Sequence, residues 1–389
     1  MIMRRIYLDN AATTPVDPEV LTSVLSAMKD CYGNASSLHT QGTRAKEKLE
    51  QARITLASLM RCSPEEIFFT SGGTESNNWA IKGFAFANQN KGNHIIVSSI
   101  EHECILNTCR WLAKLGFQIT FLPVDHAGRV NPRTLSKLIM NETILVSVMH
   151  VNNEIGTIQP LYEIGQITRE RGVAFHSDAC QSFGKLPVDP DKNCLDMISV
   201  NAHKIYGPKG VGALYIRKGT KTEPLFHGGG QEKGYRATTE NVPGIIGFVK
   251  AAEICQEDME RERIRIIQLR EKFIYHLSEH FENVYFNGDL ENSLPGIINF
   301  ALGGQEGEAI RLLFLLDEAG IAVSTGSACS NNHGEQSGSH VLRAIGRNPV
   351  EARGAIRVSP GRFTSSDDID AFFEVLNLSI QKLNPIFSF

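Results

Sequence analysis

Ile67-Phe68-Phe69-Thr70-Ser71-Gly72-Gly73-Thr74-Glu75-Ser76 carries the reading of the fold. An apolar, β-prone run comes first, then small residues with two glycines, then a polar start to a helical stretch. A strand that ends in a glycine turn and continues as a helix is the repeating unit of a sheet with helices on its faces. The turn leaves backbone N–H groups free at a helix N-terminus, which suits a phosphate, and the Thr74 hydroxyl can add a donor. The same residues also read as an ordinary turn and N-cap.

The pattern extends on both sides. Strands are predicted over 67–70, 94–98, 118–122, 143–149, 174–177, 197–199 and 213–216, with amphipathic helices over 44–60, 107–115 and 162–171. This alternation predicts an α/β fold, doubly wound around a mostly parallel sheet, with its ligand at the carboxyl ends of the strands. A long charged helix over 245–281 follows Pro243-Gly244 and leads to a second domain with strands over 297–300, 321–324 and 355–358 and terminal helices. The stretch Tyr7-Leu8-Asp9-Asn10-Ala11-Ala12-Thr13 is too short for a domain and is expected to pack back on it.

The 389 residues are too many for one small core. With 42% hydrophobic and 21% charged residues the chain reads as an ordinary globular protein. A net charge of −4 argues against a nucleic-acid or anionic-membrane partner. No apolar run approaches the ~20 residues of a membrane helix, and Met1-Ile2-Met3-Arg4-Arg5 leads into polar Asp9-Asn10 without a signal-peptide core. A cytoplasmic protein is expected. The eight cysteines at 31, 62, 104, 109, 180, 194, 255 and 329 form no C-x-x-C pair, so no metal site is expected and most read as free, buried thiols.

Two further motifs carry chemistry. In Val200-Asn201-Ala202-His203-Lys204-Ile205-Tyr206-Gly207, a lysine follows an apolar strand and can form a Schiff base if desolvation lowers its pKa; a solvated loop lysine is the bland alternative. In Phe175-His176-Ser177-Asp178-Ala179-Cys180-Gln181, an acid at a strand end can pair with a pyridine nitrogen, or simply cap a helix. Phosphate cradle, pyridine-pairing acid and lysine together are the requirements of pyridoxal phosphate.

From Tyr7-Leu8-Asp9-Asn10-Ala11-Ala12-Thr13-Thr14 to Arg357-Val358-Ser359-Pro360-Gly361-Arg362-Phe363 the chain resembles the class I (NifS/IscS-like) cysteine desulfurases of the class V aminotransferase family. The resemblance implies fold type I of the pyridoxal-phosphate enzymes: a large domain over 14–255 with a seven-stranded sheet, and a smaller α+β domain from 1–13 and 256–389. It implies that Lys204 holds the cofactor, Asp178 pairs with the pyridine nitrogen and Gln181 meets the phenolic oxygen. His102 would stack on the ring and relay protons; alone it reads as a core or surface histidine. Gly73, Thr74, Asn201 and His203 would bind the phosphate, and Thr239 would reach the phosphate of a second subunit in a homodimer. Asn153 would contact cofactor and substrate and Arg357 would clamp the substrate carboxylate; by themselves they read as a turn and a structural ion pair.

Cys329 would carry the sulfur. It lies in Val323-Ser324-Thr325-Gly326-Ser327-Ala328-Cys329-Ser330-Asn331-Asn332-His333-Gly334, whose small and polar composition predicts a mobile loop over about 324–340 before a helix at 340–345. The implied reaction converts L-cysteine to L-alanine and leaves a persulfide on Cys329, for a protein acceptor in iron–sulfur assembly or another thio-transfer. Selenocysteine lyase activity and a non-catalytic scaffold are the alternatives. The chain departs from the family pattern at Asn201, where serine is usual, and at Thr238, where glycine is usual. If position 238 requires φ > 0, threonine there is strained. Cys180 replaces a common alanine and reads as packing.

Overall fold

The computed structural model describes residues 5–325 and 338–383. Seven strands form the central sheet: β1 (Ile67–Thr70), β2 (His94–Ser98), β3 (Gln118–Leu122), β4 (Thr143–Ser147), β5 (Ala174–Asp178), β6 (Met197–Asn201) and β7 (Gly212–Ile216). Their order is β1-β7-β6-β5-β4-β2-β3. Neighbours are parallel except around β7, which runs against both β6 and β1. Six strands therefore point their carboxyl ends to one edge of the sheet. Every residue of β1, β2, β4, β6 and β7 is buried, as expected of strands covered on both faces, which is why they read as continuous apolar runs. Only the edge strand β3 is largely open to solvent.

Helices Pro18–Asp30 and Thr40–Leu59 and the first half of Val242–His280 cover one face, around Leu56, Phe175, Ile198 and Phe248. The helical run from Gly73 to Asn88 and helix Glu103–Ala113 cover the other, around Trp79, Ile95 and Leu214. The 39-residue helix Val242–His280 links two cores: Val242 to Cys255 pack in the first, and Ile266, Leu269, Phe273 and Leu277 in another around Phe300, Phe372 and Leu376.

A four-stranded antiparallel sheet backs this second core, in the order Ser324–Thr325, Ile356–Val358, Ile298–Leu302, Val284–Phe286. The strand predicted over 321–324 is two: Ile321–Ala322 pairs in parallel with Ile6–Tyr7, and the chain changes sheets at Val323. The Ile6–Tyr7 strand starts a segment that does pack back, but across both cores. Leu8 and Asn10 bond to the backbone of Ala322 and Ser359, while Thr14 bonds to His203. Helix Pro18–Asp30 opens on Asp17, which accepts the Glu19 N–H, and on Pro18 at its first position.

Candidate active site

The carboxyl ends of β1, β2, β4, β5 and β6 surround a cavity of about 220 Å³ lined by Gly73, Thr74, His102, Asn153, Asp178, Gln181, Asn201, His203 and Lys204. Strand ends place these side chains because the chain leaves each parallel strand at the same edge. Lys204 donates its Nζ to the Ala11 carbonyl. Burial, reinforced by the Arg357 guanidinium, pushes its pKa down to about 8, against the pull of Asp178 and Asp9. A lysine here keeps a usable neutral amine near physiological pH.

Asp178 is buried, and each of its oxygens has a donor: Oδ1 accepts the Cys180 N–H at 2.9 Å, and Oδ2 accepts Asn77 Nδ2 at 2.6 Å. Gln181 donates Nε2 to the Ala11 carbonyl at 2.8 Å. His102 caps helix Glu103–Ala113, its Nδ1 accepting the Cys104 N–H at 3.2 Å, so the neutral ring carries its proton on Nε2. The ring borders the open cavity, and the enclosing protein lowers its pKa despite the Asp178 charge. His203 Nδ1 lies 3.1 Å from Thr13 Oγ1; burial and then Lys204 push its pKa down to about 4, so it is neutral at pH 7.

Asn152 and Asn153 divide the work. Asn152 builds the turn, its Oδ1 accepting the N–H groups of Glu154 and Ile155, while Asn153 lines the cavity. The Asn153 carbonyl accepts Arg357 Nη1 at 2.8 Å, and Arg357 Nη2 pairs with Asp9 Oδ1 at 2.8 Å. Arg357 is thus in an ion pair next to the site, yet its buried Nε has no partner among the described residues. Thr239 is not brought into the cavity; it lines a separate cleft of about 180 Å³ with Ser71, Gly210, Arg236 and Thr238.

Cys329 lies outside the described residues. The described flanks on either side of it reach the site. Thr325 pairs with Ile356, beside Arg357, and Ser339 Oγ donates to Glu154, beside Asn153.

Asn77, Cys104 and the Ala11 carbonyl also belong to the site, and the sequence reading passed over them. Asn77 follows Thr74 by one helical turn, a spacing that puts both on one face and was available as a signal. A main-chain carbonyl leaves no such trace.

The cavity fits pyridoxal phosphate on its own chemistry. It offers a depressed amine for an aldehyde, a buried carboxylate for a ring nitrogen, and an uncapped helix start at Gly72-Gly73 for a phosphate. Gln181 Oε1, Asn201 Oδ1 and Asn77 Oδ1 are buried without partners among the described residues. A Cβ on Gly73 would stand 2.6 Å from Cys180 Sγ and 3.3 Å from Asn201 Nδ2, so Cys180 and Asn201 crowd the cradle and leave room only for glycine.

Residues 6–372 match the family model for aminotransferase class-V, and the chain belongs to that family. Within it the chain belongs to the cysteine desulfurases. It is 49% identical over 384 residues to cysteine desulfurase IscS of Dictyoglomus turgidum, covering 98% of this chain and 96% of that one. It is 46% identical over 380 residues to cysteine desulfurase IscS of Methanosarcina thermophila, covering 98% and 93%. Among solved structures, a NifS-like protein superposes with a TM-score of 0.91 at 38% identity over 97% of this chain and all of that one. The structure of SspA in complex with cysteine gives 0.81 at 38% identity, covering 91% and 98%. The α/β class and the fold type I architecture expected from the sequence agree with these structures.

Thr238 has φ +116°, so the threonine there is in a conformation that favours glycine. Such backbone strain costs about 1–3 kcal/mol. Thr238→Gly should therefore raise the free energy of unfolding by about 1 kcal/mol, read from urea titration, after allowing for the entropy of the added glycine. A stability equal to or below the parent's would show that the loop is unstrained.

Proposed function

We infer that this chain is a cysteine desulfurase that depends on pyridoxal phosphate and converts L-cysteine to L-alanine. The observation that carries this reading is the convergence of Lys204, Asp178 and His102 from three strand ends on one cavity. When bound, pyridoxal phosphate supplies an electron sink for the bond to the substrate's α-hydrogen. Lys204 would hold the cofactor by its aldehyde and is the base for the substrate's α-proton. Asp178 would pair with the pyridine nitrogen and keep it protonated. Gly73, Thr74, Asn201 and His203 would hold the phosphate, and Gln181 would meet the phenolic oxygen. Arg357, through its free Nε, and Asn153 orient the substrate carboxylate.

Cys329 then attacks the substrate sulfur as a thiolate. A bond forms between the two sulfurs, the carbon–sulfur bond breaks, and Cys329 is left as a persulfide. The carbon keeps the electron pair of the broken bond and takes a proton from the Lys204 ammonium or from solvent, with His102 as the relay, and the fragment leaves as alanine. The persulfide passes to a protein acceptor, in iron–sulfur assembly or another thio-transfer.

The active unit is a cytoplasmic homodimer in which Thr239 completes the partner's phosphate site. An exposed apolar stripe supports this: Leu21, Leu25 and Met28 on helix Pro18–Asp30, with Tyr32 beyond it, are 49–71% exposed. Stripes of this kind mark contact surfaces.

Mixing the purified holoenzyme with cysteine at no more than one equivalent per subunit, with no other thiol present, should yield alanine and persulfide in equal amounts. Alanine without persulfide overturns the reading. A rate on selenocysteine far above that on cysteine assigns the site to a selenocysteine lyase instead.

A further inference from the structure

Asn77 lines the cavity and has no task in the mechanism above. It is 1% exposed. Its Nδ2 donates to Asp178 Oδ2 at 2.6 Å and lies 3.3 Å from Cys104 Sγ, while its Oδ1 has no partner among the described residues. An unpartnered buried amide oxygen costs about 1–3 kcal/mol, which an apolar side chain of the same size would avoid. Packing alone gives no reason for an asparagine here.

The hydrogen bond does. The torsion that turns a carboxylate is broad and roughly two-fold, so one donor leaves the group free to rock. Asp178 has one donor on each oxygen, the Cys180 N–H on Oδ1 and Asn77 on Oδ2, and its plane is fixed. A charge-assisted bond at 2.6 Å also withdraws negative charge from the oxygen. The groups facing the carboxylate are Asn77 from its helix, Glu101, His102 and Cys104 around the start of the next, His176 from its own strand, Cys180 from its own turn and Lys204 from the neighbouring strand end. Among side chains, Asn77 and the Cys180 thiol hydrogen-bond to it, and Asn77 is the amide donor, on Oδ2.

We propose that Asn77 is a positioning residue for the cofactor ring: its bond to Asp178 Oδ2 fixes the carboxylate that meets the pyridine nitrogen and draws off part of its negative charge. The proposal rests on the assignment of Asp178 as the partner of that nitrogen.

The test uses reconstituted holoenzyme with Asn77→Leu, Asn77→Ala, Asp178→Ala and the Asn77→Leu, Asp178→Ala double variant. The readouts are the pH titration of the visible cofactor band and the rate of cofactor dissociation. Without that donor, Asp178 Oδ2 keeps its full negative charge and stabilises the protonated cofactor more strongly. The titration midpoint of Asn77→Leu or Asn77→Ala should therefore rise by at least about half a pH unit, with faster dissociation from the freed carboxylate. In the Asp178→Ala background Asn77→Leu should add nothing, because the residue it acts through is gone. An unchanged midpoint in either folded single variant, or an equal shift in the Asp178→Ala background, overturns the proposal. A cofactor band and affinity unaltered by Asp178→Ala alone overturn the underlying assignment, and the proposal with it.

Discussion

Lys204→Ala should leave a folded protein that lacks the visible band of attached cofactor and turns over cysteine at least ~10³-fold more slowly, since both attachment and proton removal are lost. The parent's pH dependence gives a second reading of the same residue. With a pKa near 8 instead of the ordinary 10.5, the neutral amine that attacks the aldehyde grows about tenfold per pH unit up to 8 and then levels off. Attachment of pyridoxal phosphate to the apoprotein, followed by its absorbance, should rise and level accordingly. The sign for stability is the same. The fold disfavours the charged amine, so the unfolded chain binds more protons between about 8 and 10.5, and stability rises with pH across that window. Lys204→Ala should lessen that rise without abolishing it, because burial holds Lys185 down to about 8 as well. An attachment rate that keeps climbing beyond pH 9 would mean the amine is not depressed.

Cys329→Ala should separate the two halves of the chemistry. The cofactor band and the spectral response to added cysteine should persist, while alanine formation falls at least ~10³-fold and no mass increase of one sulfur appears on the protein. The other thiols are poor substitutes. All seven are buried or half-buried. The two in the cavity are disfavoured as thiolates: burial pushes Cys104 up to about 12 and Cys180 well above its ordinary value, and Asp178 adds to both. Persulfide on another cysteine in Cys329→Ala would overturn this ordering.

The sheet could be read from the sequence because its strands are buried on both faces, which leaves short unbroken apolar runs between helical patterns. The strand-end residues followed, since parallel strands bring their exits together. Other parts resisted for physical reasons. Val284–Phe286 is only three residues long and only partly buried, too short for a period to show. Ile6–Tyr7 is two residues long and finds its partner only at Ile321–Ala322, so nothing local marks it as a strand. The single run predicted over 321–324 gave no sign that its halves serve different sheets. At the site, side chains with distinctive chemistry were legible, whereas Asn77 looked like any polar helix residue. The strain at Thr238 was foreseeable because a glycine pattern carries its conformational reason with it.

The segment from Ile6 to Thr14 roofs the cavity through the Ala11 carbonyl and is itself held by Ala322 and Ser359. Its bonds reach into both cores, from Thr14 to His203 and from Asn10 to Ser359 across 349 residues. The roof over Lys204 is complete only when both are in place, so the walls that make the lysine selective depend on closure of the whole fold.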